Sequence, residues 1–381
     1  AGMTANTDDP GAVFFNPASS AWIEETRIML GVHSLIGNVR YSERNSNVVG
    51  KQDRNITSPA FVPNLYLVQP LTENLNLNLG ISATSGTSTT YRDRWQGRYF
   101  ALKTEVSVIE ISPSLSYKIT DELSLGIGLL AQYAKAEMSQ AADFSPFGDG
   151  QLKLKGDSTA FGYSLGLLYR PTSTTKIGLG WRSKLSHTID FDSRLRIPAA
   201  AAPYVGGKSR ITGKAKSDLT LPASANLGIQ QEITEKLTLL FDVSWTQWSD
   251  MKELKVKFKK NAVPGVNERN EIMKWKDNWR FALGAEYKLN EKWTLRNGVA
   301  FDHTPVRNKD LRVAKLPDTN RLWVSLGATY KISEQLCIDA AFTHLFFNKC
   351  YIRQTNDEGN ILNGSYTGYM NIYSIALQYK I

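Results

Sequence analysis

The chain has 381 residues, 42% of them hydrophobic and 21% charged, a net charge of +9 and a mean hydropathy of −0.30. No run approaches the roughly 18–20 consecutive apolar residues of a membrane helix, which excludes helical spanning, whereas a barrel whose lipid-facing and lumen-facing residues cancel in the mean fits this average. The basic residues are spread over loops and alternate strand positions instead of forming a stripe, which argues against nucleic acid as a partner; a basic exterior suits anionic lipopolysaccharide, and a basic interior attracts carboxylates.

The first 25 residues precede any strand pattern. They carry Asp8, Asp9 and Pro10, then Val13, Phe14, Phe15, Asn16, Pro17 and Ala18. Asn-Pro is a turn signal, and a free tail gains nothing by exposing two phenylalanines. Residues 1–25 are therefore expected to enter the lumen as a plug, or hatch, with residues 26–381 forming the barrel. Such a barrel requires export, yet the chain opens at Ala1 without a charged-then-apolar leader; the expectation is a mature form from which the signal peptide has been removed.

From there the sequence alternates. Trp279, Phe281, Leu283, Ala285, Tyr287 and Leu289 fall on one face of a strand, and Arg280, Ala282, Gly284, Glu286 and Lys288 on the other. Comparable segments begin near Arg27, Phe61, Leu75, Glu105, Leu123, Ala160, Lys176, Leu221, Leu237, Lys276, Trp293, Arg321, Leu336 and Tyr369. Short connections lie around Glu73, Asp121, Ser173, Glu235, Glu291 and Glu334. Long ones lie at roughly 42–57, 88–104, 139–157, 193–218, 259–274, 303–320 and 348–367. The strict alternation of short and long predicts an all-β fold: a fourteen-stranded antiparallel transmembrane barrel with short periplasmic turns and long outer loops. Outward apolar rows include Leu75, Leu77, Leu79 and Ile81, and also Ile177, Leu179, Trp181 and Leu185; the chain closes on Tyr373, Ile375, Leu377, Tyr379 and Ile381. Aromatics at strand ends, such as Tyr169, Trp293 and Tyr379, fit interfacial girdles and equally fit ordinary strand preference.

The inward positions carry Arg182, Lys184, Asp242, Arg280, Glu286, Arg296, Asp302 and Asp339, expected to hold plug to wall or to meet a ligand. Of these Arg182, Arg280, Arg296 and Asp302 are the candidates for lining or gating the lumen. In two long loops Phe144, Phe147, Ile197, Tyr204 and Val205 either form a groove that captures an apolar ligand or pack on each other. Cys337 and Cys350, thirteen residues apart, would stand about 43 Å apart on one extended strand, too far for a disulfide. Two cysteines and four histidines supply no metal site of the usual kind. His187 and His344 fall on outward rows without a serine partner by spacing, so neither enzyme chemistry nor a cofactor is expected.

Three stretches resemble a known family, the FadL-type outer-membrane transporters of long-chain fatty acids and other hydrophobic compounds: Asp8–Ala18 (DDPGAVFFNPA), Phe61–Leu71 (FVPNLYLVQPL) and Arg296–Gly327. The resemblance covers nearly the whole chain. It implies a fourteen-stranded monomeric barrel with an N-terminal hatch, and a third strand kinked inward that leaves an opening through which a fatty acid diffuses sideways into the membrane. Here the third strand loses its alternation at Thr84, Ser85, Gly86, Thr87 and Ser88, with Gly86 at the family's kink position; a strand glycine often marks a bend, although the strand could simply end there. A tail crossing a watery lumen would forgo about 0.8 kcal/mol of burial per CH₂, which favours the sideways route. Two features depart from the family. Its members carry more residues ahead of the Asp-Asp pair, and the basic residues that meet the ligand head group correspond to Gln140 and Glu271, which are not basic. The expected partners are thus a long-chain fatty acid or another hydrophobic small molecule, together with outer-membrane lipid and lipopolysaccharide. Aromatic hydrocarbons on the same fold, or a general polar porin, are the alternatives.

Overall fold

The computed structural model describes residues 1–260 and 262–381. Alternation in the sequence becomes eighteen extended segments: β1 (Arg27–Glu43), β2 (Ala60–Thr72), β3 (Leu75–Thr90), β4 (Lys103–Lys118), β5 (Leu123–Asp143), β6 (Asp149–Thr172), β7 (Thr175–Arg182), β8 (Leu185–Arg196), β9 (Arg210–Leu221), β10 (Ser224–Glu232), β11 (Leu237–Thr246), β12 (Glu253–Phe258), β13 (Glu268–Ile272), β14 (Asn278–Lys288), β15 (Trp293–Asp302), β16 (Arg321–Lys331), β17 (Leu336–Thr355) and β18 (Ile361–Lys380). All neighbours are antiparallel, and β1 pairs with β18 from Arg27–Lys380 to Glu43–Gly364, which closes the sheet on itself. The segments β7 and β8, β9 and β10, β11 and β12, and β13 and β14 are four strands interrupted midway, so the wall has fourteen strands, as the loop alternation predicts.

The four interruptions lie on one line. Ser224 is the register partner of both Arg182 and Thr246, and Thr246 that of Asn278. On one side of this line the order is β6–β7–β10–β11–β14; on the other it is β6–β8–β9–β12–β13. Three of the four breaks have a visible local cause. Pro222 follows β9 and has no N–H for a ladder. A short 3-10 turn, Trp248–Asp250, separates β11 from β12. At Ser183 the side chain accepts from the Tyr163 N–H at 2.9 Å, replacing a backbone partner.

This last break corrects one expected row. Ile177, Leu179 and Trp181 face outward, but the irregularity at Ser183–Lys184 exchanges the faces, because side chains alternate with period two. Leu185 and His187 therefore point inward and are buried, not outward as the sequence suggests. His344 keeps its outward face opposite Val324, with Nδ1 2.6 Å from Asn371 Oδ1.

Several expected long loops are also largely strand. β5 runs to Asp143 and β6 starts at Asp149, so only 144–148 connects them; β8 and β9 reduce 193–218 to 197–209, and β17 and β18 reduce 348–367 to 356–360. The polarity explains the misreading. Along β5 the outward residues run Leu125, Ile127, Leu129, Ala131, Tyr133 and then Lys135 and Glu137; the inward ones run Ser124, Gly126, Gly128, Leu130, Gln132 and then Ala134, Ala136 and Met138. The strand continues while its faces exchange character. Near the short turns, outward Tyr117, Tyr169, Tyr287, Trp293 and Tyr379 are all exposed, in the manner of an interfacial aromatic girdle.

The remaining long connections form a cap. Trp95, fully buried, stacks on Tyr91 at 3.8 Å between ring centroids and donates from Nε1 to the Ala101 carbonyl at 2.7 Å. Tyr91 in turn donates to the Ala314 carbonyl at 2.7 Å, tying the 88–104 and 303–320 segments together. Cys337 and Cys350 lie on the same strand, β17, as free thiols.

Candidate functional site

Residues 1–25 form three 3-10 turns, Met3–Ala5, Pro10–Phe14 and Ser19–Trp22, seated against β1 to β7 and β10. Asn16 is fully buried. Its Nδ2 donates to the carbonyls of Thr4 at 2.9 Å and Leu167 at 3.0 Å, and its Oδ1 accepts from the Ala18 N–H at 3.0 Å. One side chain thus fixes the Asn16-Pro17-Ala18 turn to itself and to the wall. Small polar residues continue the attachment: Ser124 Oγ donates to the Ala18 carbonyl at 2.9 Å, and Asn76 Nδ2 to those of Ser20 and Ile23 at 2.6 and 2.8 Å.

The close approach depends on glycine. Gly126 pairs with Gly166, Gly166 with Gly180, and Gly178 with Gly228. A Cβ on Gly126 would collide with the Pro17–Ala18 backbone, on Gly166 with Asn16, on Gly178 with the Thr4 carbonyl and on Gly180 with the Phe15 carbonyl. This belt was not among the sequence expectations; its trace in the sequence is glycine recurring on the inward parity of adjacent strands.

Arg182 joins this segment to the wall. Its guanidinium lies 4.3 Å from the Phe14 ring centroid, donates to the Phe14 carbonyl at 3.1 Å and pairs with the fully buried Glu110, 2.6 Å to Oε2. Gln132 extends the network, donating from Nε2 to Glu110 at 2.7 Å and to Thr84 Oγ1 at 3.3 Å, with its Oε1 3.1 Å from His187 Nε2. Phe14 and Phe15 meet edge to face at 5.1 Å. The other lumen candidates serve the opposite wall. Arg296 bonds to Glu286 at 2.7 Å and to Thr329, which reaches Asp339. Asp302 pairs with Arg321 at 2.8 Å, and Arg280 lies 5.4 Å from the Trp323 ring centroid. These bonds of Arg296 and Asp302 run to the wall, not to the N-terminal segment.

Thr84 stands at a seam. β2 and β3 remain paired as far as Asn64–Ser82 and no further, although residues 60–63 stay paired to β1 and β3 stays paired to β4 through Thr90–Lys103. The β3–β4 register shifts between Ala83 and Ser85, so Thr84 is the extra residue of a bulge. Pro63, next on β2, has no N–H to offer either neighbour. Ser85, Gly86 and Thr87 thus lie on an edge without a β2 partner; Gly86 is exposed, and a Cβ there would meet only the Val106 carbonyl, at 3.5 Å. The strand does not end at the lost alternation. Beyond the seam, Ile56 accepts from the Thr90 N–H and donates to the Val39 carbonyl, both at 2.9 Å.

Past the line of interruptions the inner faces form an apolar chamber. Met138, Leu152, Leu154, Leu254, Val256 and Phe258 line a cavity of about 30 Å³, room for about one water. Its polar end holds Ser139, Gln140, Arg269, Glu271 and, from the 303–320 segment, Lys315. Lys315 Nζ donates to Glu271 Oε1, while Arg269 pairs with Glu358 at 3.1 Å. Gln140 and Glu271, far apart in sequence, are thereby brought to one place. Of the expected capture residues, Ile197 is buried in the chamber's apolar cluster, and Phe144, Phe147 and Val205 pack against it. Phe147 stacks on the exposed Tyr204 at 4.8 Å. The two loops pack on each other, and these five residues do not line the cavity. The cavity residues went unread because four strands and a loop contribute them, and each segment alone shows only a few inward apolar positions.

Over residues 1–381 the chain matches the family described as outer membrane protein transport protein (OMPP1/FadL/TodX). It is 31% identical to outer membrane protein P1 of Haemophilus influenzae, over 86% of this chain and 76% of that protein. It is 27% identical to a long-chain fatty acid transport protein of Escherichia coli O6:H1, over 94% and 85%. A FadL homologue of Pseudomonas aeruginosa superposes with a TM-score of 0.88 at 25% identity, covering 100% of this chain and 96% of that one. The closed barrel with apolar outward rows and a polar lower lumen is the architecture such transporters require, and the chain belongs to the outer membrane protein transport protein family (OMPP1/FadL/TodX), a family of bacterial outer-membrane transporters and not of enzymes.

Proposed function

We propose that the protein carries long-chain fatty acids, or closely similar elongated hydrophobic molecules, across the outer membrane by diffusion, without a cofactor. The extracellular loops capture the ligand from the outside, the N-terminal segment acts as a hatch that closes the way to the periplasm, and the ligand leaves sideways at the β2–β3 seam into the membrane. The observation that carries this reading is the seam, because it is a break in the ladder between two strands that each remain paired on their other side. An apolar exit favours such a path: each CH₂ that avoids water retains about 0.8 kcal/mol. The glycine belt supports the hatch role, since it lets backbone pack on backbone and leaves little of that half of the lumen to water.

Deleting Thr84 tests the route. It removes the bulge and returns β3 to a regular register, which brings its edge back toward β2. Uptake of a labelled long-chain fatty acid by cells expressing this variant is expected to be lost while the amount of folded barrel in the outer membrane is unchanged. Uptake at the level of the unaltered protein would sink the lateral route. A general polar porin instead predicts steady ion conductance in a planar bilayer, against which the closed conductance expected of the hatch is the direct contrast.

A further inference from the structure

We infer that the outward face of β6, β8 and β9 binds the phosphorylated saccharide core of the outer leaflet's lipopolysaccharide, through Arg194, Arg196, Arg210 and Lys153. The site goes beyond transport: it lies on the outside of the wall, away from the lumen and the seam. It is marked by how charge is distributed over paired residues, which stand side by side on one face. Nearer the apolar surface acids and bases are mixed. Asp192 stands between Lys155 and Lys214 and bonds to Lys214 at 2.6 Å; Asp190 stands between Asp157 and Lys216 and bonds to Lys216 at 3.1 Å. The next two rungs carry bases alone. Arg194 is the register partner of Lys153 and Thr212, and Arg196 that of Gln151 and Arg210. All three arginines are exposed, and among the described residues none has a carboxylate partner. Lys153 has Glu137 at 2.7 Å, and the next acid along β6, Asp149, is held by Arg98 at 2.6 Å.

Like charges directly opposite each other destabilise a strand pair. Two such pairs, Arg194–Lys153 and Arg196–Arg210, adjoin in one patch, and an anion lying across them turns that repulsion into attraction. Arginine is the base whose planar fork meets phosphate through two parallel hydrogen bonds. Height along the wall selects which phosphate. From Phe161, the last exposed apolar residue on the outward side of β6, the strand runs about 27 Å to Lys153 at about 3.4 Å per residue. At a strand tilt of about 40° this is about 20 Å of height. Phosphates on the glycolipid's own lipid head lie beside the apolar edge, level with the mixed rungs, where acids stand among the lysines. Phosphates on the sugars that extend outward from it reach the rungs of bases alone.

The experiment titrates the purified full chain in detergent with two glycolipids: lipopolysaccharide carrying the complete phosphorylated core, and a form truncated to lipid A and its first acidic sugars. The form with the core is expected to bind about tenfold more tightly. The triple variant Arg194→Gln, Arg196→Gln, Arg210→Gln should lose that advantage, whereas Lys214→Gln with Lys216→Gln, on the mixed rungs, should keep it. In detergent without glycolipid the triple variant should unfold at no lower temperature than the unaltered protein, because only repulsion has been removed. Equal binding of the two glycolipids by the unaltered protein, or tighter binding of the truncated one, overturns the inference, and that comparison needs no variant to fold. A triple variant that keeps the advantage overturns it too, as does a lysine variant that loses it. A triple variant less stable without glycolipid would assign the arginines to the fold and overturn the site as well.

Discussion

The same strands serve two opposite purposes along their length. On β6 the outward residues run Tyr169, Leu167, Leu165, Tyr163 and Phe161, then Thr159, Asp157, Lys155 and Lys153. The inward residues include Gly166, Ser164 and Gly162, then Leu154 and Leu152. In the first region the outside is greasy and the inside small and polar; in the second this is reversed. The exchange coincides with the line of strand interruptions, because Ser183, at the first break, is bonded to Tyr163. Each face takes the polarity of what it meets. The first region is apolar outside and has the N-terminal segment against its inner face, whereas the second region is charged outside and apolar within. The barrel thus exchanges its apolar and polar faces along its length.

This comparison is most strongly tested where the two regions meet. Glu110→Gln should leave Arg182 buried without its counter-charge and cost about 3–5 kcal/mol, read as a lower thermal midpoint of the detergent-solubilised barrel by heat-dependent gel mobility. An unchanged midpoint would show that the Phe14–Arg182–Glu110–Gln132 network does not hold hatch to wall. A charge placed on the lipid-facing side of the first region comes next. Ile127→Arg should destabilise by about 2–4 kcal/mol in refolding titrations with lipid vesicles. Lys155→Leu, on the outward face of the second region, should shift the same titration by less than about 0.5 kcal/mol. Similar losses for the two would erase the boundary drawn between them.

The smallest expected effect belongs to the outer charged surface. Glu137 lies 2.7 Å from Lys153, 2.9 Å from Lys155 and 3.4 Å from Lys103. Burial pushes its carboxyl up, but hydrogen bonds from Lys153 and Lys155 and the Lys103 charge outweigh that and bring it from 4.5 down to about 2. A carboxyl held below its unfolded value stabilises the fold above pH 4.5, and that contribution fades as the pH falls toward 2. Because the three lysines are 33%, 37% and 60% exposed and solvent screens the pairing, Glu137→Gln should cost less than about 1 kcal/mol at neutral pH and less still at pH 2. A loss that is the same at both values would assign the effect to packing instead of charge.

The sequence by itself determined the class, the strand count, the outward rows of the membrane region and the place where the third strand departs from regularity. These depend on local spacing: period-two alternation and the parity of loop lengths are properties of neighbours along the chain. It misjudged Leu185 and His187, because one irregular step at Ser183–Lys184 reverses every later side chain and leaves no local mark. It also read strand as loop where the polarity of the faces exchanges, since the outward apolar row is the cue and that row stops at the membrane. Only the tertiary structure decided the rest. Gly126, Gly166, Gly178 and Gly180 acquire meaning as a belt when three strands stand side by side with the N-terminal backbone against them. Lys315 and Glu271 meet only when the 303–320 segment folds over β13. Contacts between residues distant in sequence are set by register and closure, which no single stretch of the chain contains.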